Sequence, residues 1–202
     1  MNFSSHYPLK AFQERRFEKL KHVINHYPLA TLISQTTSYP MVTQVPLIFD
    51  ESASKLLGHF DRNNPHCQLI DKEKKIYCLF NGPNHYMTPT IYPDRQYPGW
   101  NYVAVHVEGL VKPMKDEAEL EALLLETAVL NEPLNSGYRL TPNQKNFHVY
   151  IKMILGFEIE IVDIKGVFKL AQDKGQPHIE LAKNHLVEQS QKDISKILDE
   201  LL

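Results

Sequence analysis

The stretch that decides the fold runs from Phe80 to Gly109 and reads FNGPNHYMTPTIYPDRQYPGWNYVAVHVEG. In its last part, Val103, Val105 and Val107 alternate with polar or small residues. Successive side chains point to opposite faces of a strand, so the three valines share one face. This pattern predicts a β-strand with one buried face. A loop rich in proline and tyrosine, which ends at Trp100, precedes the strand. Because binding groups often lie on loops that rigid strands carry, we expect the edge of a binding site here.

Apolar runs on both sides of this stretch predict further strands. They lie at residues 29–35, 41–49, 55–60, 75–80, 84–91, 101–108 and 157–161. Tight turns separate most of them, which favours antiparallel pairing in a barrel or sandwich. Pro46 cannot donate a backbone hydrogen bond and therefore indicates an edge strand or a bulge. Gly82-Pro83 predicts a turn between two of the strands.

Amphipathic patterns predict helices around this sheet. They lie at residues 11–27, 65–71, 116–130, 142–155 and 177–202. Asp116 is suited to cap the third of them, and the last has a narrow apolar stripe that ends at Leu201. We expect one α+β domain at residues 1–175 and a C-terminal helical extension at residues 176–202.

Composition excludes several classes of protein. The formal net charge is −2, so no global charge attracts nucleic acid or anionic lipid. Cys67 and Cys78 lack a CxxC spacing, which favours reduced thiols. The N-terminal residues resemble no signal peptide and no apolar run approaches the ~20 residues of a membrane span, so we expect a cytoplasmic protein with no membrane contact.

No common catalytic or metal motif is present. The chain lacks GxGxxG, GxxxxGK[ST], GxSxG and HExxH, and the spacings of its ten histidines match no compact ligand set. We therefore predict no metal site and assign no catalytic residue. The basic residues of the first helix are more typical of a solvated face than of a DNA-binding surface, because no second helix completes a helix-turn-helix.

The turn at residues 58–65 could bind an anion. Arg62 offers a planar fork of donors, Asn63 and Asn64 offer amides, and the start of a short helix offers backbone N–H groups, with His59 close by. Such groups suit a phosphate monoester. An equally weighted alternative is a plain polar turn, in which Asn63 caps the helix and Arg62 pairs with Asp61 or with solvent.

The stretch that follows could bind a planar ring. Tyr86, Thr88, Trp100 and Asn101 could provide a stacking surface and amide hydrogen bonds. Aromatic residues on a sheet more often belong to the core, so this alternative stays open. Lys169 and Gln172 follow the final strand and could return to the same pocket, or else form an exposed turn.

Four motifs resemble the PaiB family and follow one another in that family's order. They are Gly58-His59-x-x-Arg62-x-Asn64-Pro65, Gly82-Pro83-x-x-Tyr86-x-x-Pro89-x-x-Tyr92, Pro98-x-Trp100-Asn101-Tyr102-x-Ala104-Val105-His106, and Gly156-Phe157-Glu158-Ile159-Glu160-Ile161 with Gly166-x-Phe168-Lys169-Leu170-x-Gln172. The resemblance covers roughly residues 5 to 190. The chain departs from the family at Gln44, where the family has His, at Ala171, where it has Ser, and at Asp173, where it has Asn.

The resemblance implies a split β-barrel flavoprotein related to pyridoxamine-phosphate oxidases, a homodimer with FMN at the subunit interface. It also implies a negative transcriptional regulator, which here would sense flavin or redox state. The expected cofactor-binding residues are His59, Arg62, Asn63 and Asn64 near the phosphate, Tyr86, Thr88, Trp100 and Asn101 along the ring, and Lys169 and Gln172 from the last segment. The alternatives are an oxidoreductase that uses FMN and NAD(P)H, and a haem-binding split barrel.

Overall fold

The structure is a computed structural model that describes residues 7–51, 54–70, 74–133 and 135–190. Its strands are β1 (Gln13–Glu14), β2 (Leu29–Ser34), β3 (Met41–Pro46), β4 (Ile48–Asp50), β5 (Lys55–Asp61), β6 (Lys74–Met87), β7 (Gly99–Pro113) and β8 (Ile154–Lys169). Its α-helices are α1 (Phe17–His26), α2 (Glu117–Asn131), α3 (Phe147–Met153) and α4 (Gln176–Ser190). Short 3-10 helices lie at Lys10–Phe12, Pro65–Leu69 and Pro89–Ile91.

The strands form one antiparallel sheet in the order β3-β2-β6-β7-β8-β5-β4, and β1 pairs with β8. The hairpin predicted from residues 29 to 49 is present, with Ala30 opposite Val45. The sheet curls until β3 lies close to β5. This curvature wraps the sheet part of the way around the apolar faces of the strands, as the twist of long strands allows.

The core lies inside this curled sheet. Val105 and Val107 are fully buried, together with Phe80, Phe157 and Leu32 from the neighbouring strands. The alternation that predicted a strand with one buried face at residues 101–108 is thus confirmed. Full burial of each such side chain contributes roughly 1.5–3 kcal/mol, so the four strands that carry them, β2, β6, β7 and β8, provide much of the stability.

Gly82-Pro83 does not form the predicted turn. β6 continues through it, and a bulge shifts the pairing with β7 between Asn81 and Asn84. Proline has no N–H for the ladder, and an interrupted pairing tolerates it. A Cβ on Gly82 would lie 3.0 Å from the Cβ of Val103, so the absent side chain lets the two strands approach closely.

Several predicted ends of helices and strands were wrong, because pairing with distant strands overrides the local sequence pattern. The helix predicted from residue 11 begins at Phe17, because Gln13 and Glu14 pair instead with Val167 and Gly166. The helix predicted from residue 142 begins only at Phe147. The strand predicted at residues 41–49 divides between β3 and β4, and the strand predicted at 157–161 is part of the longer β8.

Several local signals were right. Pro46 ends β3, which lies at one edge of the sheet. The side chain of Asp116 accepts a hydrogen bond from the N–H of Ala118 and caps α2. The short helix predicted after residue 64 is the 3-10 helix Pro65–Leu69. Proline at a first helical position and a carboxylate at the cap act within one turn of the chain, so sequence reveals them.

The helices cover different parts of the sheet. α1 buries Leu20 and Ile24 in the barrel core, whereas α2 and α3 form a second apolar cluster around Leu123. α4 packs on β6 and buries Ala182. The part of the predicted apolar stripe from residue 194 onward lies outside the described residues. Within the described ranges, no helix has both the length and the apolar character that crossing a membrane requires.

Candidate functional site

The turn after β5 presents Arg62 at the surface. The N–H of Arg62 donates to the carbonyl of Met153 and its side-chain Nε donates to the carbonyl of Lys152, both at 2.9 Å. No acceptor among the described residues lies within hydrogen-bond distance of the two terminal guanidinium nitrogens. These contacts fix the plane of the guanidinium and leave its outer donors directed at solvent, which suits a bidentate anion.

Asn64, and not Asn63, caps the 3-10 helix. The Asn64 Oδ1 accepts from the N–H of His66 at 2.9 Å, so this oxygen is committed to the turn. The N–H of Asn63 donates to the Asp61 carboxylate at 2.8 Å, while the Asn63 side chain stays exposed. The alternative in which Asn63 is the cap is therefore wrong, and its amide remains available to a ligand.

His66 anchors this turn to the sheet. Its ring is fully buried, with Nδ1 2.9 Å from the hydroxyl of Thr43 and Nε2 2.9 Å from the hydroxyl of Ser34. The ring also stacks on Phe60 at a centroid distance of 5.2 Å. Burial lowers the pKa of His66, so the neutral ring is favoured. Burial likewise lowers the pKa of His59, which lies opposite Gly156 on β8.

Tyr86 and Trp100 form an exposed aromatic edge at the far end of β6 and β7. They are cross-strand partners with ring centroids 6.3 Å apart and an interplanar angle of 64°. The indole N–H of Trp100 donates to Asn84 at 3.3 Å, which orients the ring. The two residues remain 43% and 51% exposed, so both could contact a planar ligand.

Lys169 lies beside this aromatic edge. It pairs with Tyr102 across β7 and β8, and its Nζ lies 3.9 Å from the position that a Cβ on Gly99 would occupy. Gln172, by contrast, closes its own turn. Its Oε1 accepts from the N–H of Leu170 at 2.6 Å and its Nε2 donates to the carbonyl of Phe168.

Thr88 caps a helix and Asn101 is buried, so the surroundings of both residues are those of structural residues. The hydroxyl of Thr88 accepts from the N–H of Thr90 at 3.4 Å and caps a 3-10 helix. Asn101 is buried, and as the neighbour of Trp100 on a strand it points to the opposite face of the sheet. The structure therefore groups Tyr86, Trp100 and Lys169 on one face and separates Asn101 from them.

The two groups of predicted residues lie at opposite ends of β8 in a single chain. The turn with Arg62 contacts Met153, directly before the first residue of β8, whereas Lys169 is its last residue. At about 3.3 Å per residue, these ends are separated by about 50 Å along the strand. Among the described residues, no hydrogen bond or ring contact joins the phosphate-type turn to the aromatic edge within one chain.

Two histidines of α4 contact the stretch from Tyr86 to Asp94, and the sequence analysis missed both. The ring Nε2 of His185 donates to the carbonyl of Tyr86 at 3.2 Å. The ring Nε2 of His178 lies 2.5 Å from the Asp94 carboxylate, and this contact lowers the pKa of Asp94. The only available signal was their seven-residue spacing, which places both on one helix face. Nothing in that spacing identifies residues nearly a hundred positions away.

The sheet and its order define a class of proteins, and comparison with solved structures identifies it. The flavocytochrome Anf3 from Azotobacter vinelandii is similar with a TM-score of 0.63 and 15% identity, over 78% of this chain and 69% of that one. The FAD and heme binding protein from Mycobacterium smegmatis is similar with a TM-score of 0.62 and 13% identity, over 84% and 79% of the two chains. The predicted antiparallel split β-barrel with peripheral helices is thus confirmed.

The sequence comparison identifies the family. Residues 6–163 match the family model described as "Putative FMN-binding domain", and the chain belongs to this family. It is 24% identical over 172 residues to "Protease synthase and sporulation protein PAI 2" of Bacillus subtilis, a match that covers 83% of this chain and 82% of the relative. The predicted membership of the PaiB family is confirmed, and so is FMN as the family's cofactor. The exposed fork of Arg62 and the half-exposed rings of Tyr86 and Trp100 fit a phosphate-bearing planar ring.

Proposed function

We propose that the chain binds FMN as a homodimer and acts as a flavin-responsive negative regulator of transcription. In each site, one copy contributes the turn with Arg62, where Asn63 and His59 lie nearby, and the other copy contributes Tyr86, Trp100 and Lys169. Arg62 holds the phosphate, and the aromatic edge contacts the ring. When bound, the flavin supplies redox chemistry, while the protein holds and orients it.

The proposal rests mainly on the orientation and the hydrogen bonds of the Arg62 side chain. Its Nε is held by the Lys152 carbonyl, and its terminal nitrogens face solvent without an acceptor among the described residues. A guanidinium oriented in this way is prepared for two parallel hydrogen bonds to phosphate oxygens. Because its orientation is fixed before the ligand arrives, little side-chain entropy is lost on binding.

Two features support the dimer. The groups that suit phosphate and ring lie at opposite ends of β8, so a second copy is the simplest way to bring them together. In addition, β2 and β3 expose Leu29 and Val42 on the outer face of the barrel. Apolar side chains exposed on a sheet face are typical of a surface that another chain covers.

The regulatory part of the proposal rests on the relative from Bacillus subtilis, whose name refers to protease synthase and sporulation. The net charge of −2 supports weak or no direct DNA binding by the isolated protein. A flavin-dependent oxidoreductase is the second candidate, because the half-exposed Tyr86 and Trp100 leave room for a second planar molecule. Oxidation of NAD(P)H by the FMN-loaded protein at catalytic rates would favour it.

The test is an FMN titration followed by flavin fluorescence and absorption. Arg62→Ala removes two charge-assisted hydrogen bonds, each worth about 1.5–3 kcal/mol, and should weaken FMN binding at least about a hundredfold. Arg62→Lys keeps the charge without the fork and should recover only part of the affinity. Arg139→Ala, at an exposed arginine of the 135–146 segment, is the matched control. Absent binding by the wild type at micromolar FMN, or equal binding by Arg62→Ala, contradicts the proposal.

A mixing experiment tests whether two copies share each site. Arg62→Ala and Trp100→Ala chains carrying different tags are expressed together and the mixed dimer is purified. If each site takes Arg62 from one copy and Trp100 from the other, one of the two sites is intact and FMN binds at half stoichiometry. If both residues act within one chain, the mixed dimer has no intact site.

A further inference from the structure

A large trough runs along α1, away from the turn that contains Arg62. It has a volume of about 750 Å³, within the range of small-molecule sites. The lining residues of α1 include Lys19, His22, Val23 and His26, which recur at helical spacing on one face. Pro83, from the bulge in β6, forms part of the opposite wall.

The floor of the trough is apolar and continuous with the barrel core. Val23 and Val103 are buried members of that core, and Phe168 and Leu170 pack against it while remaining partly accessible. These side chains belong to different elements, α1, β7 and the end of β8, so the floor is a packed surface. Burying the accessible part of Phe168 and Leu170 under a ligand would be favourable.

One end of the trough is lined by a lysine, Lys19. The carboxylate of Glu14 accepts hydrogen bonds from the Arg16 side chain at 2.6 and 2.8 Å, so that pair is close to neutral. Lys19 forms an ion pair with the same carboxylate at 3.7 Å, which is longer than a hydrogen bond, and its side chain is 53% exposed. Glu18 also lines the trough and is exposed, so solvent screens its charge as it screens the charge of Lys19.

His22 adds a second donor at this end. It follows Lys19 by three residues on the same helix face. The ring of His22 has no hydrogen-bond partner among the described residues, although it contacts the ring of His26 at a centroid distance of 4.1 Å. An ammonium and an imidazole on one helix face, next to an apolar floor, complement a carboxylate with an apolar body.

We propose that this trough binds an amphipathic carboxylate of medium chain length, of about ten carbons. The apolar chain lies on Val103, Phe168 and Leu170, and the carboxylate contacts Lys19 and His22. The site is separate from the turn with Arg62. A ligand bound there would act on the regulator independently of flavin.

Calorimetric titration of the full chain with decanoate tests the proposal. Decanoate should bind at one molecule per chain with a dissociation constant below about 1 mM, and octanoate should bind about tenfold more weakly, because each methylene contributes up to about fourfold. Decanol should bind less tightly than decanoate. Lys19→Gln should weaken decanoate about tenfold and leave decanol unchanged, whereas Lys115→Gln, at an exposed lysine before α2, should change neither.

Leu170→Asn tests the floor and should weaken decanoate and decanol alike. If its circular dichroism shows loss of fold, Tyr27→Ala replaces it, because Tyr27 lines the same trough from an exposed position. Binding that survives Arg62→Ala unchanged supports a separate site. The proposal is overturned if decanoate shows no saturable binding, or if Lys19→Gln binds decanoate as tightly as the wild type does. It is also overturned if Leu170→Asn changes the oligomeric state, because the trough would then be a contact between copies of the chain.

Discussion

Replacing His66 with Ala should destabilise the fold severely, because this ring joins the turn after β5 to two other strands. The ring is fully buried, and its two nitrogens each lie 2.9 Å from a hydroxyl, of Thr43 and of Ser34. Each hydrogen bond contributes about 1 kcal/mol net, and the stacking on Phe60 adds about 1 kcal/mol. With the cavity left by the ring, the expected loss of unfolding free energy is about 3–4 kcal/mol.

Urea denaturation followed by circular dichroism measures this loss. His148→Ala, at an exposed histidine of α3, is the matched control and should change the unfolding free energy by less than about 0.5 kcal/mol. His66→Gln keeps hydrogen-bonding groups and should lose less than His66→Ala. A loss below about 1 kcal/mol for His66→Ala would refute the view that the buried ring holds the turn in place.

Three further outcomes are expected. Burial lowers the pKa of His66 in the folded state, so the contribution of His66 to the unfolding free energy is full above about pH 6.5 and falls as pH drops through the folded-state pKa. The unfolding free energies of the wild type and of His66→Gln are compared between about pH 7 and 5. The same pH dependence in both would contradict this expectation. Gly109→Ala would bring a Cβ into collision with Ile159 and should lower the unfolding free energy by about 1–3 kcal/mol in urea titrations. An unchanged unfolding free energy would show that β8 shifts to accommodate the added Cβ. Ellman's reagent should modify Cys67 in the native chain and reach Cys78, which is fully buried and has a raised pKa, only in denaturant; rapid native reaction of both thiols would contradict the packing.

The parts of the fold that sequence predicted correctly depend on local interactions. The alternation of Val103, Val105 and Val107 reflects the two-residue period of a strand, and Asp116 caps a helix through an N–H two residues away. The incorrect parts depend on distant partners. Gly82-Pro83 forms a bulge because β7 continues the pairing on both sides of it, and α1 begins late because β8 takes up the preceding residues.

The candidate site shows the same division. Arg62, Asn63 and Asn64 are neighbours in the chain, so their turn was visible in the sequence, although which asparagine is the cap was not. The sequence did not reveal which hydrogen bonds Thr88 and Gln172 make, because a hydroxyl or an amide can cap a turn or bind a ligand equally well. Each of these two side chains makes a local hydrogen bond that closes its own turn.

The sequence by itself determined the antiparallel sheet, the position of the polar turn after β5 and membership of an FMN-binding family, because these follow from short-range periodicity and from motifs of adjacent residues. Only the tertiary structure decided that Asn101 is buried away from Trp100, that α4 brings His185 to Tyr86, and that the turn with Arg62 and the aromatic edge lie at opposite ends of β8. The physical reason is that a side chain's neighbours depend on strand register and sheet curvature, which the packing of the whole chain sets.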